Sequence, residues 1–439
     1  MDRLIPVVCA LSLGLVAESA EVVSPKDGME VPLLNAAQKH YYSLPRAERE
    51  KYFADAEKDK PLAFRKYGTW PEPVRLRWRP EAGETSFDVK VVRMPDGKPF
   101  FRATKSATNE VEVWNLEIGR EWEWSVAAGG RTSRGRFRTE EQAPRMLRID
   151  NIKNCRDLGG RIGLDGRRVR QGLLIRTQGL NGNAKFKREK GERGKIIEPP
   201  TKRGEDRLTP EARRYLTEEL GVRTDIDLRN EYECFGMDGS PLGPGVRWEH
   251  LSLLGAYNLI CSKDPRETLT KVLRLMLDEK NYPIVFHCIG GADRTGCIAY
   301  ALEGLLGVAE EEMWLDWETT AFGNSFRSGG LADQKHRNWF KKLAKGFDAY
   351  PGATVRERVE AGFRSLGFTD ADFEKFRSIM LEPADAVRTR PTASIRPGAV
   401  SRPSARHRLG DVPQGVAGLL AGRFARRLAR QQVVVPAAA

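Results

Sequence analysis

The hydrophobic period of this chain shifts to strict alternation from about Pro61 and to a strand-then-helix rhythm from Ile149, and these shifts constrain the fold more than any other feature. Between the two, four segments alternate strictly: Val74-Arg75-Leu76-Arg77-Trp78, Phe87-Asp88-Val89-Lys90-Val91, Val111-Glu112-Val113-Trp114 and Trp122-Glu123-Trp124-Ser125-Val126. A period of two puts every second side chain on one face, so each segment reads as a strand with one buried face. Pro-Glu-Ala-Gly, Met-Pro-Asp-Gly and Ala-Gly-Gly turns punctuate them, which predicts an antiparallel β-sandwich over 61–142. Its aromatic residues are assigned to the core, and no chemistry is expected of it.

From Ile149 onward, short apolar runs alternate with helical stretches. Gly172–Arg176, Thr224–Arg229 and Pro283–His287 read as strands. Thr209–Leu220 reads as a helix, as does Arg266–Leu277, with Leu269, Val272, Leu273 and Met276 on one face, and another helix is expected over Gly296–Leu306. This rhythm predicts an α/β domain over 143–381, a mostly parallel sheet flanked by helices. Asn181–Arg207 carries nine basic and five acidic residues and reads as a solvated insertion.

The chain ends differ in composition from both regions. Asp2 and Arg3 precede the apolar run Leu4–Ala17, with small residues at Ala17 and Ala20, so 1–20 is read as a secretory signal and the protein as periplasmic or secreted. Residues 21–60 are a polar, partly helical lead-in expected to pack on the region after it. Residues 382–439 turn to Pro, Ala, Arg, Ser and Val, the composition of a disordered basic tail. Val416–Arg430 could form a basic amphipathic helix making weak contact with an anionic surface. The formal net charge is +13, but ten arginines against Asp385 and Asp411 give 383–439 a charge of +8, leaving +5 for the other 382 residues. With no nucleic-acid motif beside it, that mild excess does not indicate a nucleic-acid partner. No apolar run reaches the ~18 residues that span a bilayer. Six cysteines in 439 residues do not make a disulfide scaffold.

The chemistry concentrates in His287-Cys288-Ile289-Gly290-Gly291-Ala292-Asp293-Arg294-Thr295-Gly296. A cysteine leaves a buried strand, five residues intervene, and an arginine precedes a helix. The two glycines let the loop curl until the backbone N–H groups of Ile289, Gly290, Gly291 and Ala292 converge on an anion. The following helix points its positive end at the same place. Arg294 can hold two oxygens of a phosphate bidentately. Cys288 beneath the anion feels this potential, and its pKa is expected to fall below the free value of ~8.5. Such a thiolate can attack phosphorus to give a cysteinyl-phosphate that water hydrolyses, with no metal or cofactor. Thr295 is placed to hydrogen-bond the Cys288 sulfur, and His287 to order the loop through its backbone.

This segment resembles the signature loop of the cysteine-dependent protein tyrosine phosphatases, and more narrowly that of the atypical bacterial tyrosine/serine phosphatases, whose loop usually reads His-Cys-x-x-Gly-Lys-Asp-Arg-Thr-Gly. Asn154-Cys155-Arg156-Asp157-Leu158-Gly159-Gly160 is similar to that family's opening motif, Leu174–Leu180 to its first core strand and turn, and Leu220–Arg229 with Glu233 to its central strand. The resemblance implies a phosphorylated protein or peptide substrate, and Asp293 as proton donor to the leaving oxygen. The alternative for Asp293 is a structural pairing with a neighbouring arginine. Asp157 and Asp227 are expected to anchor loops, and Asp316 to be structural. Two positions depart from the family. Ala292 replaces its lysine, which counts against multiply phosphorylated substrates. Cys155 replaces an aromatic residue, either as a small buried substitute or as a second thiol near the nucleophile. The run Glu112–Ala127 resembles a fibronectin type III module.

Two other functions compete with a tyrosine phosphatase of single or dual specificity. One is a phosphoinositide or inositol-phosphate phosphatase, since Asp-Arg-Thr loops occur there too. The other is a silent phospho-binding module, against which the intact Cys288, Arg294 and Thr295 argue. Rhodanese-like sulfur transfer lacks the Asp-Arg-Thr-Gly exit.

Overall fold

The alternating segments pair as their period requires. In the computed structural model, which describes residues 20–49, 70–190, 194–323 and 334–384, the N-terminal region holds strands β1 (Glu21–Ser24), β2 (Met29–Val31), β3 (Val74–Arg79), β4 (Phe87–Arg93), β5 (Lys98–Ser106), β6 (Glu110–Val113), β7 (Glu121–Ala128) and β8 (Arg131–Thr139). They form two sheets, in the orders β1-β3-β6 and β2-β8-β7-β4-β5. Leu76 and Trp78 of the first sheet share one apolar cluster with Val89, Val91, Trp122, Trp124 and Val126 of the second. Trp78 meets Phe87 edge-on at 5.3 Å. Gly129 and Gly130, at φ +56° and +78°, supply the two left-handed positions of the β7–β8 turn.

The segment expected only to pack on this region contributes strands to it. β1 runs antiparallel to β3 and β2 parallel to β8. After β2, Asn35 and Gln38 close a reciprocal capping box on the helix Ala36–Ser43. Residues 1–19 of the expected signal lie outside the described residues, as does the tail beyond 384. The compact unit spans 1–390; a second unit, 391–439, is wholly outside them.

Beyond residue 143 the strands are β9 (Arg145–Met146), β10 (Arg156–Asp157), β11 (Leu174–Thr177), β12 (Lys187–Arg188), β13 (Ile196–Glu198), β14 (Thr224–Asp227), β15 (Arg247–His250) and β16 (Ile284–His287). Six of them form one sheet in the order β15-β14-β16-β11-β10-β9. The four from β15 to β11 are parallel, and β10 and β9 add an antiparallel edge. The charged insertion carries a small ladder of its own, β12 with β13. Helices Lys263–Met276, Asp293–Leu305, Glu310–Gly323, Gln334–Asp348, Val355–Arg364 and Asp370–Met380 complete the region. Leu269, Val272, Leu273 and Met276 are fully buried in the main core beside Ile298, Leu302 and Leu305.

Two boundaries differ from the sequence reading. The helix expected over Thr209–Leu220 is α-helical only over Pro210–Arg214, then widens into a π-turn over Tyr215–Glu219 before Gly221 at φ +68°. The helix expected from Gly296 begins at Asp293, because the Gly296 amide already bonds the Ala292 carbonyl at 2.9 Å. Asp293, Arg294 and Thr295 therefore occupy its first turn.

Candidate active site

Five residues, Cys288–Ala292, join β16 to the helix Asp293–Leu305, and each of their carbonyls is engaged from the protein interior. His287 Nδ1 lies 3.4 Å from the Cys288 carbonyl. The Gly179 amide donates to Ile289 at 3.1 Å. Asn154 Nδ2 donates to Gly290 and Gly291, each at 3.0 Å. Arg176 Nη2 donates to Gly291 at 2.7 Å and reaches Ala292 at 3.5 Å. A peptide's C=O and the next N–H point in opposite directions, so fixing these carbonyls inward turns the following amides outward. The amides of Ile289, Gly290, Gly291 and Ala292 donate to no backbone carbonyl among the described residues. That is the geometry of an anion nest. Gly291 permits the curl: it sits at φ +66°, and a Cβ there would lie 2.3 Å from the Thr177 carbonyl oxygen.

The residues behind the loop form a buried charge cluster. Asp316, on the helix Glu310–Gly323, accepts from Arg156 Nε at 2.8 Å, from Arg161 Nη2 at 3.0 Å and from Arg176 Nη1. Burial works against its carboxylate, but Arg156, Arg176 and Arg161 outweigh that and hold its pKa far below the usual range. Glu303 lies 3.5 Å from Arg161. Burial, then the neighbouring Asp316, push its carboxyl well above the ordinary value.

Cys288, the first residue of the loop, is 3% exposed. Burial opposes its thiolate, yet the charge of Arg294 and hydrogen bonding from Thr295, by hydroxyl and amide, prevail over burial and Asp293, so its pKa is lowered. The Thr295 hydroxyl is buried without a hydrogen bond of good geometry, so its contribution to the sulfur is a looser contact. Arg294 is fixed by a fork to Glu233, at 2.6 and 3.3 Å, and by the Leu228 carbonyl at 3.3 Å. Glu233 is itself held by the Asn230 amide at 2.9 Å. Asp293 is partly exposed, and its Oδ1 accepts from the Tyr257 hydroxyl.

The loop thus brings Cys288, Asp293, Arg294 and Thr295 together beside Ile289, Gly290, Gly291 and Ala292. His287 is fully buried beneath them, with Nε2 2.9 Å from Asp225 and Nδ1 3.7 Å from Asp227. Burial opposes its charge, but these two aspartates raise its pKa. Asp157 is placed elsewhere: its partners are Arg145, Gly159 and Gly172, none of them in the loop. Cys155 donates to the Ile152 carbonyl at 3.3 Å and packs with Leu147, Ile149 and Ile175, in a different apolar cluster from Cys288. Burial pushes its thiol up, countered only by Arg156. The positioning roles of Asn154, Arg176, Glu233 and Tyr257 were not assigned from sequence. The first three lie within the motifs quoted above, but nothing local to a motif names the carbonyl or guanidinium its side chain will meet.

Comparison with known proteins bears on the same region. Residues 204–382 match the sequence profile described as "Tyrosine phosphatase family". That span includes the loop, Glu233 and Asp316 but begins after Asn154 and Arg176. A curated protein from Cupriavidus necator, named "Putative tyrosine-protein phosphatase H16_A0669", is 29% identical over 211 residues, which cover 42% of this chain and 67% of its own. The solved core catalytic domain of the PP-IP phosphatase SIW14 from S. cerevisiae aligns with 33% of this chain and 85% of its own, at 19% identity and a TM-score of 0.21, a likeness too slight to inform the fold. The matched segment and the Cupriavidus relative support the tyrosine phosphatase family, a family of hydrolases of phosphate esters.

Proposed function

We propose that this protein is an exported, cysteine-dependent protein tyrosine phosphatase, acting on phosphotyrosine in proteins or peptides and secondarily on phosphoserine or phosphothreonine. The observation that carries the reading is the conjunction at Cys288: a thiol of lowered pKa, an arginine held by Glu233, and a loop whose carbonyls are all turned inward. A phosphate monoester enters with three oxygens on the loop amides and Arg294. The Cys288 sulfur forms a bond to phosphorus as the P–O bond to the leaving group breaks, and the proton of Asp293 passes to the departing oxygen. Asp293 then takes a proton from a water that attacks phosphorus, releasing phosphate and the thiolate. Thr295 assists the second step by hydrogen-bonding the departing sulfur.

Export rests on the run Leu4–Ala17, and the two N-terminal sheets are read as a fibronectin type III-like module. The test of the chemistry is a pair of variants. Cys288→Ser is expected to abolish turnover while still binding vanadate, because the loop amides and Arg294 remain. Asp293→Asn is expected to lower kcat about 10²-fold on alkyl phosphates and much less on activated aryl phosphates, whose leaving groups need no proton. Retained hydrolysis in the first variant, or equal losses in the second, refutes the assigned roles.

A further inference from the structure

The charged insertion that follows β11 is pinned at both legs to the Cys288–Ala292 loop and to the residue that holds Arg294. The Gly179 amide donates to the Ile289 carbonyl at 3.1 Å, and Arg207, at the far end of the insertion, donates to the Gly179 carbonyl at 3.2 Å. The Gly182 amide joins the two legs through the Glu205 carbonyl at 2.6 Å. Gly204 lets them cross, since a Cβ there would lie 1.8 Å from the Gly182 carbonyl oxygen. The Ala184 amide donates to the backbone carbonyl of Glu233 at 3.0 Å, and the Glu233 carboxylate grips Arg294 at 2.6 Å. Phe186 adds a ring contact with Tyr232 at 5.9 Å. A connection this long that is tied down rather than loose is usually functional.

We infer, on the phosphatase reading proposed above, that the hairpin of β12 and β13 is a docking arm for an acidic segment of the phosphoprotein. The described residues of the insertion, 181–190 and 194–207, hold eight basic and four acidic side chains. Lys187 pairs with Glu198 and Arg203 with Asp206, each at 2.6 Å. Lys185, Lys190, Lys195 and Lys202 are exposed, with no carboxylate at salt-bridge distance among the described residues. The contacts from Ala184 through Glu233 set the Lys185 Cα no more than about 17 Å from the Arg294 guanidinium, the span of roughly five extended residues. Carboxylates about three to five residues from the phosphorylated side chain therefore come within reach of these lysines. Exposed ion pairs are individually weak, but two or three together amount to about tenfold in affinity. Glu189 and Glu205, set among the lysines, suit the separate carboxylates of a peptide better than the uniform negative charge of a lipid surface. Ile197 of β13, 56% exposed, offers the same segment one apolar contact.

Steady-state kinetics on the full chain test the arm with three phosphotyrosine peptides, flanked by glutamate, serine or lysine, and with phenyl phosphate as a probe too small to reach it. At low salt the glutamate peptide is expected to show a KM about tenfold below that of the serine peptide at equal kcat. That advantage is expected to fade at about 0.5 M NaCl. The quadruple variant Lys185→Gln, Lys190→Gln, Lys195→Gln, Lys202→Gln is expected to bring the two peptides within about twofold while leaving phenyl phosphate turnover unchanged. The corresponding glutamate substitutions are expected to favour the lysine peptide instead. Equal KM values for the parent on the glutamate and serine peptides, or a preference that survives the quadruple variant, overturns the inference, while phenyl phosphate turnover leaves the phosphatase reading standing. Substitutions that release the protein from phosphatidylserine vesicles but leave the peptide preference in place assign the arm to a lipid surface and overturn the inference likewise. A parent chain that hydrolyses none of the four substrates overturns the phosphatase reading, and the docking arm with it.

Discussion

Removing the side chain of Asn154 offers the sharpest test of how the loop is held. Its Nδ2 donates to both Gly290 and Gly291 carbonyls, and its Oδ1 accepts from Arg156. Gly291 keeps Arg176 Nη2 at 2.7 Å, and Arg156 keeps Asp316, so the carbonyl stranded outright is that of Gly290. An unsatisfied polar group of that kind costs about 2 kcal/mol. Asn154 also sits at φ +57°. Alanine at that φ adds roughly 1 kcal/mol of backbone strain that glycine avoids. Urea unfolding is therefore expected to place Asn154→Gly about 2 kcal/mol below the parent and Asn154→Ala about 1 kcal/mol lower still. The effect on hydrolysis follows a different rule. A freed Gly290 carbonyl lets the Gly290–Gly291 peptide rotate, which removes one amide facing the anion. Loss of one such donor typically costs 10²–10³-fold, and both variants suffer it alike. Expected kcat/KM values are thus about 100-fold below the parent and equal within a factor of two, although the two stabilities differ. If Asn154→Gly keeps kcat/KM within threefold of the parent, the loop does not depend on the Asn154 bonds.

Arg294→Met removes the strongest influence favouring the Cys288 thiolate and leaves burial in place, so the pH midpoint of iodoacetamide alkylation at Cys288 is expected to move upward; an unchanged midpoint would assign the shift to Thr295 alone. Glu233→Gln keeps the shape of the Arg294 fork but not its charge. Misplacement of the guanidinium is expected to lower kcat/KM about 30-fold without raising the alkylation midpoint, a pattern that separates position from potential. Glu303 keeps its proton in the folded chain above the 4.5 at which the unfolded chain releases it. Its contribution to stability is full below that pH and is lost as pH rises through the folded pKa. Glu303→Gln is expected to flatten the decline in denaturant stability that sets in as pH rises above 4.5, and an unaltered slope would mean that Glu303 ionises freely in the fold.

What the sequence made legible is what lies close together along the chain. Cys288, Arg294 and Thr295 fall within eight residues of a buried strand and the helix after it, and β16 and its helix force them into one place. Four strictly alternating segments likewise announced β3, β4, β6 and β7 through a period that any half-buried strand must carry. The lead-in strands β1 and β2 carry no such signal: they are four and three residues long, and their partners lie more than fifty residues away. The groups that hold the site in shape were hidden for the same reason. Asn154 meets Gly290 across 136 residues, Arg176 meets Asp316 across 140, Glu233 meets Arg294 across 61 and Tyr257 meets Asp293 across 36. A buried arginine must find an anion or carbonyls, but composition does not say which.

The helix Glu310–Gly323 ties these distant groups to the start of the chain. On one side Asp316 gathers Arg156, Arg161 and Arg176, and Thr320 accepts from Arg156 and Asn154. On the other side Glu318 accepts from Tyr41 at 3.0 Å, from Arg49 at 2.7 Å and from Arg337 at 2.6 Å, while Thr319 bonds Tyr42 at 2.8 Å. Met146, Leu315 and Phe322 fill the apolar space between. Burying charges in such numbers is unfavourable unless each is paired, and removing one partner of a buried pair costs about 3–5 kcal/mol. The helix must therefore be seated on both sides at once: with the N-terminal segment absent, Glu318 would face water or lose partners, and Asp316 would be held less firmly behind the loop. The residues before the six-stranded sheet thus help to seat Asp316 behind the loop without touching it, through one helix that bonds the lead-in segment by Glu318 and Thr319 and the loop's supporting arginines by Asp316.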